Sequence, residues 1–320
     1  WLPDREYYLG QDARYVELRA KYKAHIANLL RLAGLDNVEA RAARVLALEN
    51  AIARVHWTVE QNNDVLKANT VWTRADLAAK APGLDWTAFL NAAGLAGQDR
   101  FGAWQDSAVV GLSKLTADQP LDAWRDYLAF HAAARAAPLL SKAFVDESFA
   151  FNGMALSGTP AQRDRWKRGV DVTSAALGEA IGKLYVEKYF SPAAKAQVET
   201  MVKNIMAALG PRIDALDWMT AATKAEAKTK LANFQVGVGY PDKWIDYSGL
   251  SVVRGDAFGN AQRAELFEYR RNLAKLGKSV DRKEWFMTPQ TVNALFAPSQ
   301  NSIIFPAAIL EPTFFDPAAD

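Results

Sequence analysis

The sequence predicts a mainly α protein, a large helical region followed by the opening strands of a second, mixed α+β domain. Three features carry that expectation. Apolar side chains recur at three- and four-residue spacings from residue 12 to about residue 276, the period of an amphipathic helix. Helix-start signals, a small hydroxyl residue followed by proline, punctuate this stretch at Thr159-Pro160 and Ser191-Pro192. Near residue 277 the texture changes to short apolar runs split by turn-forming residues.

Taken in order, Tyr15, Leu18, Tyr22, Ile26 and Leu29 form one face of a first helix, with Gly34 placed for a left-handed C-terminal cap. Val45, Leu48, Ile52, Val55 and Val59 stripe a second. Residues 74 to 100 read as shorter helices broken by Gly and Pro, Ser107 to Leu112 as a short strand, and roughly 119 to 136 as another helix. Thr159-Pro160-Ala161-Gln162 predicts a capping box that opens a long helix with the stripe Trp166, Val170, Leu177, Ile181 and Leu184. Ser191-Pro192 opens the next, which bears Val198, Met201, Val202, Ile205 and Leu209 and should stop at Gly210-Pro211. A Lys-rich amphipathic helix covers about 220 to 233, and Val236-Gly237-Val238-Gly239-Tyr240-Pro241 breaks the pattern as a turn. Val292–Phe296 and Ser302–Phe305, separated by Ala297-Pro298-Ser299-Gln300-Asn301, predict two paired strands.

Composition narrows the chemistry. The chain has 320 residues, which suggests about two domains. It carries 38 basic and 36 acidic side chains, a net charge of +2 that offers no general attraction to nucleic acid or anionic lipid. There is no cysteine, so disulfide scaffolds, Cys-ligated metals and thiol catalysis are excluded. The longest uncharged stretch, Trp285 to Leu310, holds Pro289, Pro298 and Pro306 with Gln290, Asn293, Gln300 and Asn301, a cost in hydrocarbon that excludes a transmembrane helix. The chain opens on Trp1 without a signal segment and closes without a polar tail, so it is expected to be part of a longer protein.

Few residues promise chemistry on their own. His25, His56 and His131 are the only histidines, and no two stand at the i, i+4 spacing of helical metal ligands, so they read as boundary histidines at helix-packing edges. Gly237-Val238-Gly239 lacks the third glycine and the Lys-Ser/Thr of a phosphate loop. Asp146-Glu147 and Asp242 have no visible acid/base partner and read as solvated or capping groups, and Arg163, Arg165, Lys167 and Arg168 read as a solvated face. Asn293 differs, because an amide inside an apolar strand must be used. Either it bonds its own turn, or it bonds the backbone of an extended peptide lying along an exposed edge strand.

The block Val292-Asn293-Ala294-Leu295-Phe296, Asn301-Ser302-Ile303-Ile304-Phe305-Pro306-Ala307-Ala308-Ile309-Leu310 and Pro312-Thr313-Phe314-Phe315-Asp316 closely resembles the strand pair before the zinc motif of the neprilysin and endothelin-converting-enzyme metalloendopeptidases. Leu2-Pro3-Asp4-Arg5-Glu6-Tyr7-Tyr8-Leu9, Gly182-Lys183-Leu184-Tyr185-Val186, Leu216-Asp217-Trp218-Met219 with Thr223-Lys224, Gly239-Tyr240-Pro241-Asp242 and Glu284-Trp285 resemble family segments in the family's order. The resemblance implies a peptidase whose catalytic domain is similar to thermolysin and whose helical domain closes over it, limiting substrates to peptides. Residues 1–255 would be the helical cap and 256–320 the start of the catalytic domain.

On the same resemblance, Asn293 and Ala294 hold the substrate peptide, and Ile309 and Phe314 line the pocket for the residue after the cleaved bond. Leu295 stands where the family usually has an aromatic residue, which alters the neighbouring pocket. The family's His-Glu-x-x-His helix and later Glu bind Zn2+, whose bound water attacks the peptide carbonyl. None of those residues is in this chain, so no metal is expected on it alone. Its expected partners are peptide substrates and the remaining C-terminal catalytic half. The missing cysteines suggest a bacterial source, since secreted animal relatives are disulfide-rich. The resemblance itself, to a family whose members are often exported, favours a periplasmic or exported place over the cytoplasm. The alternative is a helical binding or scaffold module without a catalytic site.

Overall fold

A computed structural model of the chain describes residues 1–318, which fall into two compact units, 1–163 and 164–318. The boundary expected near residue 255 lies inside the second unit.

The first unit contains the helices α1 (Arg5–Leu9), α2 (Ala13–Leu32), α3 (Val38–Val55), α4 (Val59–Asn62), α5 (Val65–Ala68), α6 (Arg74–Lys80), α7 (Trp86–Ala92), α8 (Asp106–Asp118), α9 (Leu121–Ala136) and α10 (Lys142–Ser148), then a π-helical segment, Phe149–Leu156. The predicted stripe of α2 is its buried face: Leu18, Tyr22, Ile26 and Leu29 pack with Val45 of α3, Phe130 of α9 and Phe151. Gly34 ends α2 at φ 79°, a conformation without steric cost only for glycine, and Leu35 N–H reaches back to Leu30 O at 3.0 Å.

Two readings in this unit change. The α3 stripe stops at Val55, because Thr58 and Gln61 form a capping box that starts α4, leaving Val59 on a new, exposed turn. Ser107–Leu112 is part of α8 rather than a strand. Its Gly111 packs so tightly on Val55 that an added Cβ would lie 2.4 Å from that side chain, and Ser113 Oγ donates to Ala81 O at 2.6 Å. These non-local contacts outweigh the β-branched pair Val109-Val110. Strands β1 (Val71–Thr73) and β2 (Arg100–Gly102) form a small antiparallel ladder that the sequence pattern did not disclose.

Several charged and polar side chains of this unit are buried with partners. Glu49 accepts from Tyr8 Oη at 3.0 Å, Tyr22 Oη at 3.2 Å and His131 Nε2 at 2.7 Å. His25 is 3% exposed, stacked 4.7 Å from Phe151 and 2.9 Å from Glu147, so it is a core residue and Glu147 its partner rather than a solvated acid. Burial holds the His25 imidazole below its ordinary value of 6.5, against the pull of Glu147. The unfolded chain then binds this proton more readily than the native one. Stability should therefore be intact above pH ~6.5 and decline as pH falls through the lowered native value. Unfolding midpoints measured across that range should fall for the parent and fall less for His25→Gln; a parent midpoint that rises on acidification would show the sign to be wrong.

The second unit contains α11 (Arg165–Ala176), α12 (Gly178–Tyr189), α13 (Pro192–Ala215), α14 (Ala221–Ala232), β3 (Gln235–Gly239), α15 (Ala257–Leu273), β4 (Leu295–Ala297) and β5 (Ser302–Pro306). The helix expected from Thr159 starts instead at Arg165 after Asp164, because Thr159 N–H is taken by Gly153 O at 2.8 Å as the preceding π-helical segment closes. It breaks at Leu177, where φ −130° and ψ 37° leave helical space before α12 begins. Ser191 caps α13 as predicted, but Gly210-Pro211 does not end it. Proline removes one ladder hydrogen bond, and α14 holds the continuing turn: Lys224 Nζ donates to Asp214 O at 2.8 Å and Lys228 pairs with the Asp214 carboxylate at 2.5 Å.

The segment read as a turn at Val236–Gly239 is β3, parallel to β5 in the register Gln235↔Ser302 through Gly239↔Pro306. Glycine suits it for packing reasons. An added Cβ at Gly237 would lie 3.0 Å from the Trp285 ring, and Gly239, at φ 79°, turns the chain away beneath Phe190. The predicted pair β4 and β5 is antiparallel, joined by the turn Pro298–Gln300 and by Asn301 at φ 49°. The sheet order is β3–β5–β4.

Candidate functional site at the β4 edge

The sheet order leaves β4 at an edge, paired with β5 on one side only among the described residues. The register opposes Leu295 to Ile304, Phe296 to Ile303 and Ala297 to Ser302. Asn293 and Ala294 are exposed and precede the first paired residue. Asn293 Oδ1 accepts from Ala294 N at 2.8 Å and Asn293 N donates to Thr291 O at 3.0 Å. Its carboxamide thus bonds its own turn through the oxygen, while the Nδ2 donors have no partner among the described residues. Leu295 is half-buried, and Phe296 stacks 6.1 Å from Phe234.

Downstream of β5, Ala307–Ile309 forms a 3-10 turn. Leu310 and Phe315 pack against a cluster of Phe190, Ala194 and Ala307, with Tyr185 and Val186 of α12 beside them. The alternate residues face elsewhere: Ile309 is half-buried and Phe314 is 73% exposed. The structure therefore places Asn293, Ala294 and Leu295 along one edge and Ile309 and Phe314 on the segment that leaves β5, outside the apolar cluster.

Charged side chains brace the region. Arg282 Nη2 donates to Asn233 O and Gln300 O, both at 2.8 Å, tying the start of β3 to the β4–β5 turn. Arg271 of α15 reaches Glu284 at 2.9 Å, next to the Trp285 ring that covers Gly237. Although burial opposes it, bonds from Lys275 and Arg271 hold Glu284 below the ordinary carboxylate range. At the start of α12, burial pushes Glu179 up, despite the Ile245 N–H it accepts at 2.6 Å.

The residues present do not fit a zinc ion. His25 is held by Glu147 and His131 by Glu49, while His56 follows the end of α3. Among the described residues no group of three or more His, Asp or Glu side chains could hold a metal. No described helix is long and apolar enough to cross a membrane.

The sequence model of Peptidase family M13 matches residues 1–241. The chain belongs to peptidase family M13. Relatives agree with that membership: endothelin-converting enzyme-like 1 of Mus musculus is 30% identical over 330 residues, covering 99% of this chain and 42% of the relative. Neprilysin-2 of Drosophila melanogaster is 29% identical over 338 residues, covering 98% of this chain and 43% of the relative. The zinc metalloprotease ZMP1 of Mycobacterium tuberculosis, solved with an inhibitor, matches with a TM-score of 0.91 at 40% identity, covering all of this chain and 49% of that one. PepO from Lactobacillus rhamnosis matches with a TM-score of 0.82 at 25% identity, covering 51% of that chain. This M13 chain thus spans about half the length of the proteins it resembles, or less. The resemblance read from the β4–β5 block is borne out, and so is a mainly α fold followed by short strands.

Sequence reasoning missed what lies under the M13 edge strand. The Thr288–Thr291 segment, which leads into Asn293, rests on Gly178 and Gly182 of α12. The Gly-x-x-x-Gly spacing on one helical face was the signal available for that close approach.

Proposed function

We propose that this chain supplies the helical cap, residues 1–255, and the substrate-binding start of the catalytic domain, residues 256–320, of a zinc-dependent endopeptidase that hydrolyses peptides. The observation that carries the reading is an open edge strand entered by Asn293-Ala294 in a chain of peptidase family M13. An extended peptide would add to the β4 edge, with backbone hydrogen bonds supplying affinity and side-chain pockets supplying specificity. The free Nδ2 donors of Asn293 would bond a peptide carbonyl, and the Ala294 backbone would continue the pairing. Leu295, smaller than an aromatic residue, would leave more room beside the bound peptide, and Ile309 and Phe314 would receive the side chain after the cleaved bond. Zinc and its ligands would come from the remaining catalytic half, so this chain alone would be inactive. Because relatives in this family are often exported, an exported or periplasmic place is favoured over the cytoplasm.

The decisive experiment uses the full-length enzyme and an internally quenched peptide. Asn293→Ala should lower kcat/KM about tenfold or more, the worth of one or two hydrogen bonds to the substrate backbone, with an unchanged thermal midpoint. Unaltered kinetics would remove Asn293 from recognition.

A further inference from the structure

We propose that α12 is the bed that fixes the recognition strand in place, with Gly182 and Gln290 as positioning residues for peptide binding; this rests on the reading of Asn293 given above. Three contacts converge on the segment Thr288–Thr291. At Gly178 an added Cβ would meet Thr288 Cγ2 at 2.6 Å, and at Gly182 it would meet Pro289 Cδ at 2.5 Å and Cγ at 2.9 Å. Gln290 Nε2 donates to Gly178 O at 3.0 Å. Pro289 is fully buried. The helix and the segment are in contact along backbone that only glycine leaves open.

The segment connects both flanks of the candidate site. Toward β4, Thr288 Oγ1 and Thr291 Oγ1 share a hydrogen bond of 2.9 Å, Thr291 N donates to Thr288 O at 3.0 Å, and Thr291 O accepts from Asn293 N at 3.0 Å. Toward the far side of β5, Pro289 O accepts from Ala308 N at 2.9 Å, one residue before Ile309. The same face of α12 continues one turn on through Tyr185 and Val186, which pack on the cluster that takes Leu310 and Phe315. One helix face therefore sets the height of Asn293 and the position of Ile309 together. A Cβ at Gly182 pushes Pro289 outward and shifts both, whereas no residue of α12 is itself among the proposed substrate contacts.

A displacement of this kind acts on binding geometry, where an error near 1 Å can cost about a hundredfold. In the full-length enzyme with an internally quenched peptide, Gly182→Ala should raise KM about tenfold while kcat stays within about twofold. Adding Pro289→Ala removes both ring atoms that the new methyl meets, leaves Gln290 Oε1 at 2.9 Å and keeps the Pro289 carbonyl, so the double variant should recover part of the lost affinity. Should Gly182→Ala fail to fold, Gln290→Met, which removes the bond to Gly178 O but keeps the side-chain length, should raise KM several-fold by itself. Unchanged KM in the folded variant, a loss confined to kcat with a lowered thermal midpoint, or no recovery on adding Pro289→Ala would each overturn the positioning role. Asn293→Ala, measured alongside, separates the two ideas. If it raises KM while the α12 variants are silent, only the bed is wrong; if it is silent, the recognition reading falls and the bed with it.

Discussion

Glu49→Ala should lower the stability of the Trp1–Arg163 unit by about 3–5 kcal/mol, read from hydrogen exchange of α2 and α3 amides. Glu49 is 2% exposed, and its carboxylate is the meeting point of Tyr8, Tyr22 and His131. Burial and the adjacent Glu49 charge hold both tyrosine hydroxyls far above the ordinary phenol range, so they stay protonated and can only lose their acceptor. Truncation takes the shared acceptor from three donors, and the two tyrosines lie in a core where Phe130 and Phe151 pack on Tyr22. The lost bonds also loosen the N-terminal segment, because Tyr8 Oη accepts from Leu2 N at 2.8 Å. Tyr22→Phe removes one donor and its need together, and should cost only about 1 kcal/mol. A Glu49→Ala loss no larger than that of Tyr22→Phe would mean that the network does not join these helices.

The second large effect concerns Asp126, and it is asymmetric. Asp126 of α9 is 1% exposed and bonded by Arg41 and Arg44 of α3, whose side chains are 27% and 42% exposed. Remove the carboxylate and both guanidinium groups can turn to water. Remove both guanidinium groups and the carboxylate stays buried. An uncompensated buried charge of that kind costs about 3–5 kcal/mol. The double substitution Arg41→Ala/Arg44→Ala should therefore destabilise the helical unit more than Asp126→Asn does, in denaturant midpoints at neutral pH. The reverse order would show that the pairing is not governed by the burial of Asp126.

Helices whose apolar faces are written locally were legible. The stripe from Leu18 to Leu29, the glycine stop at Gly34 and the Ser191 cap each depend on neighbours within a turn or two. The errors occur where a distant partner decides. Ser107–Leu112 carries a strand-like pair of valines, but in the helix Gly111 meets Val55 and Ser113 meets Ala81, partners far away in sequence. Val236–Gly239 contains glycines that look like turn residues because the ring of Trp285, which fills the space above Gly237, is far away in sequence. Thr159-Pro160 has the composition of a helix start, yet its first N–H is already spent on Gly153. The candidate site divides in the same way. Asn293-Ala294 stands out as a motif, whereas the Gly178 and Gly182 spacing marks a close approach on α12 without naming the distant Thr288–Thr291 segment that makes it.

The parallel pairing of β3 with β5 sets an order of events during synthesis. β4 and β5 are joined by a short turn and can zip together as a hairpin within about 1–10 μs once both exist. β3 leaves the ribosome first but finds its partner only after α15 and the Trp285 segment have followed, since Gln235 pairs with Ser302. At ~5–20 residues per second that interval lasts several seconds, so non-local closure rather than hairpin formation times the docking of β3. The unpaired flank of β5 is then a sticky surface for as long as β3 is undocked. The edge proposed to read peptides is consequently backed by both β5 and β3 only after this non-local pairing has closed.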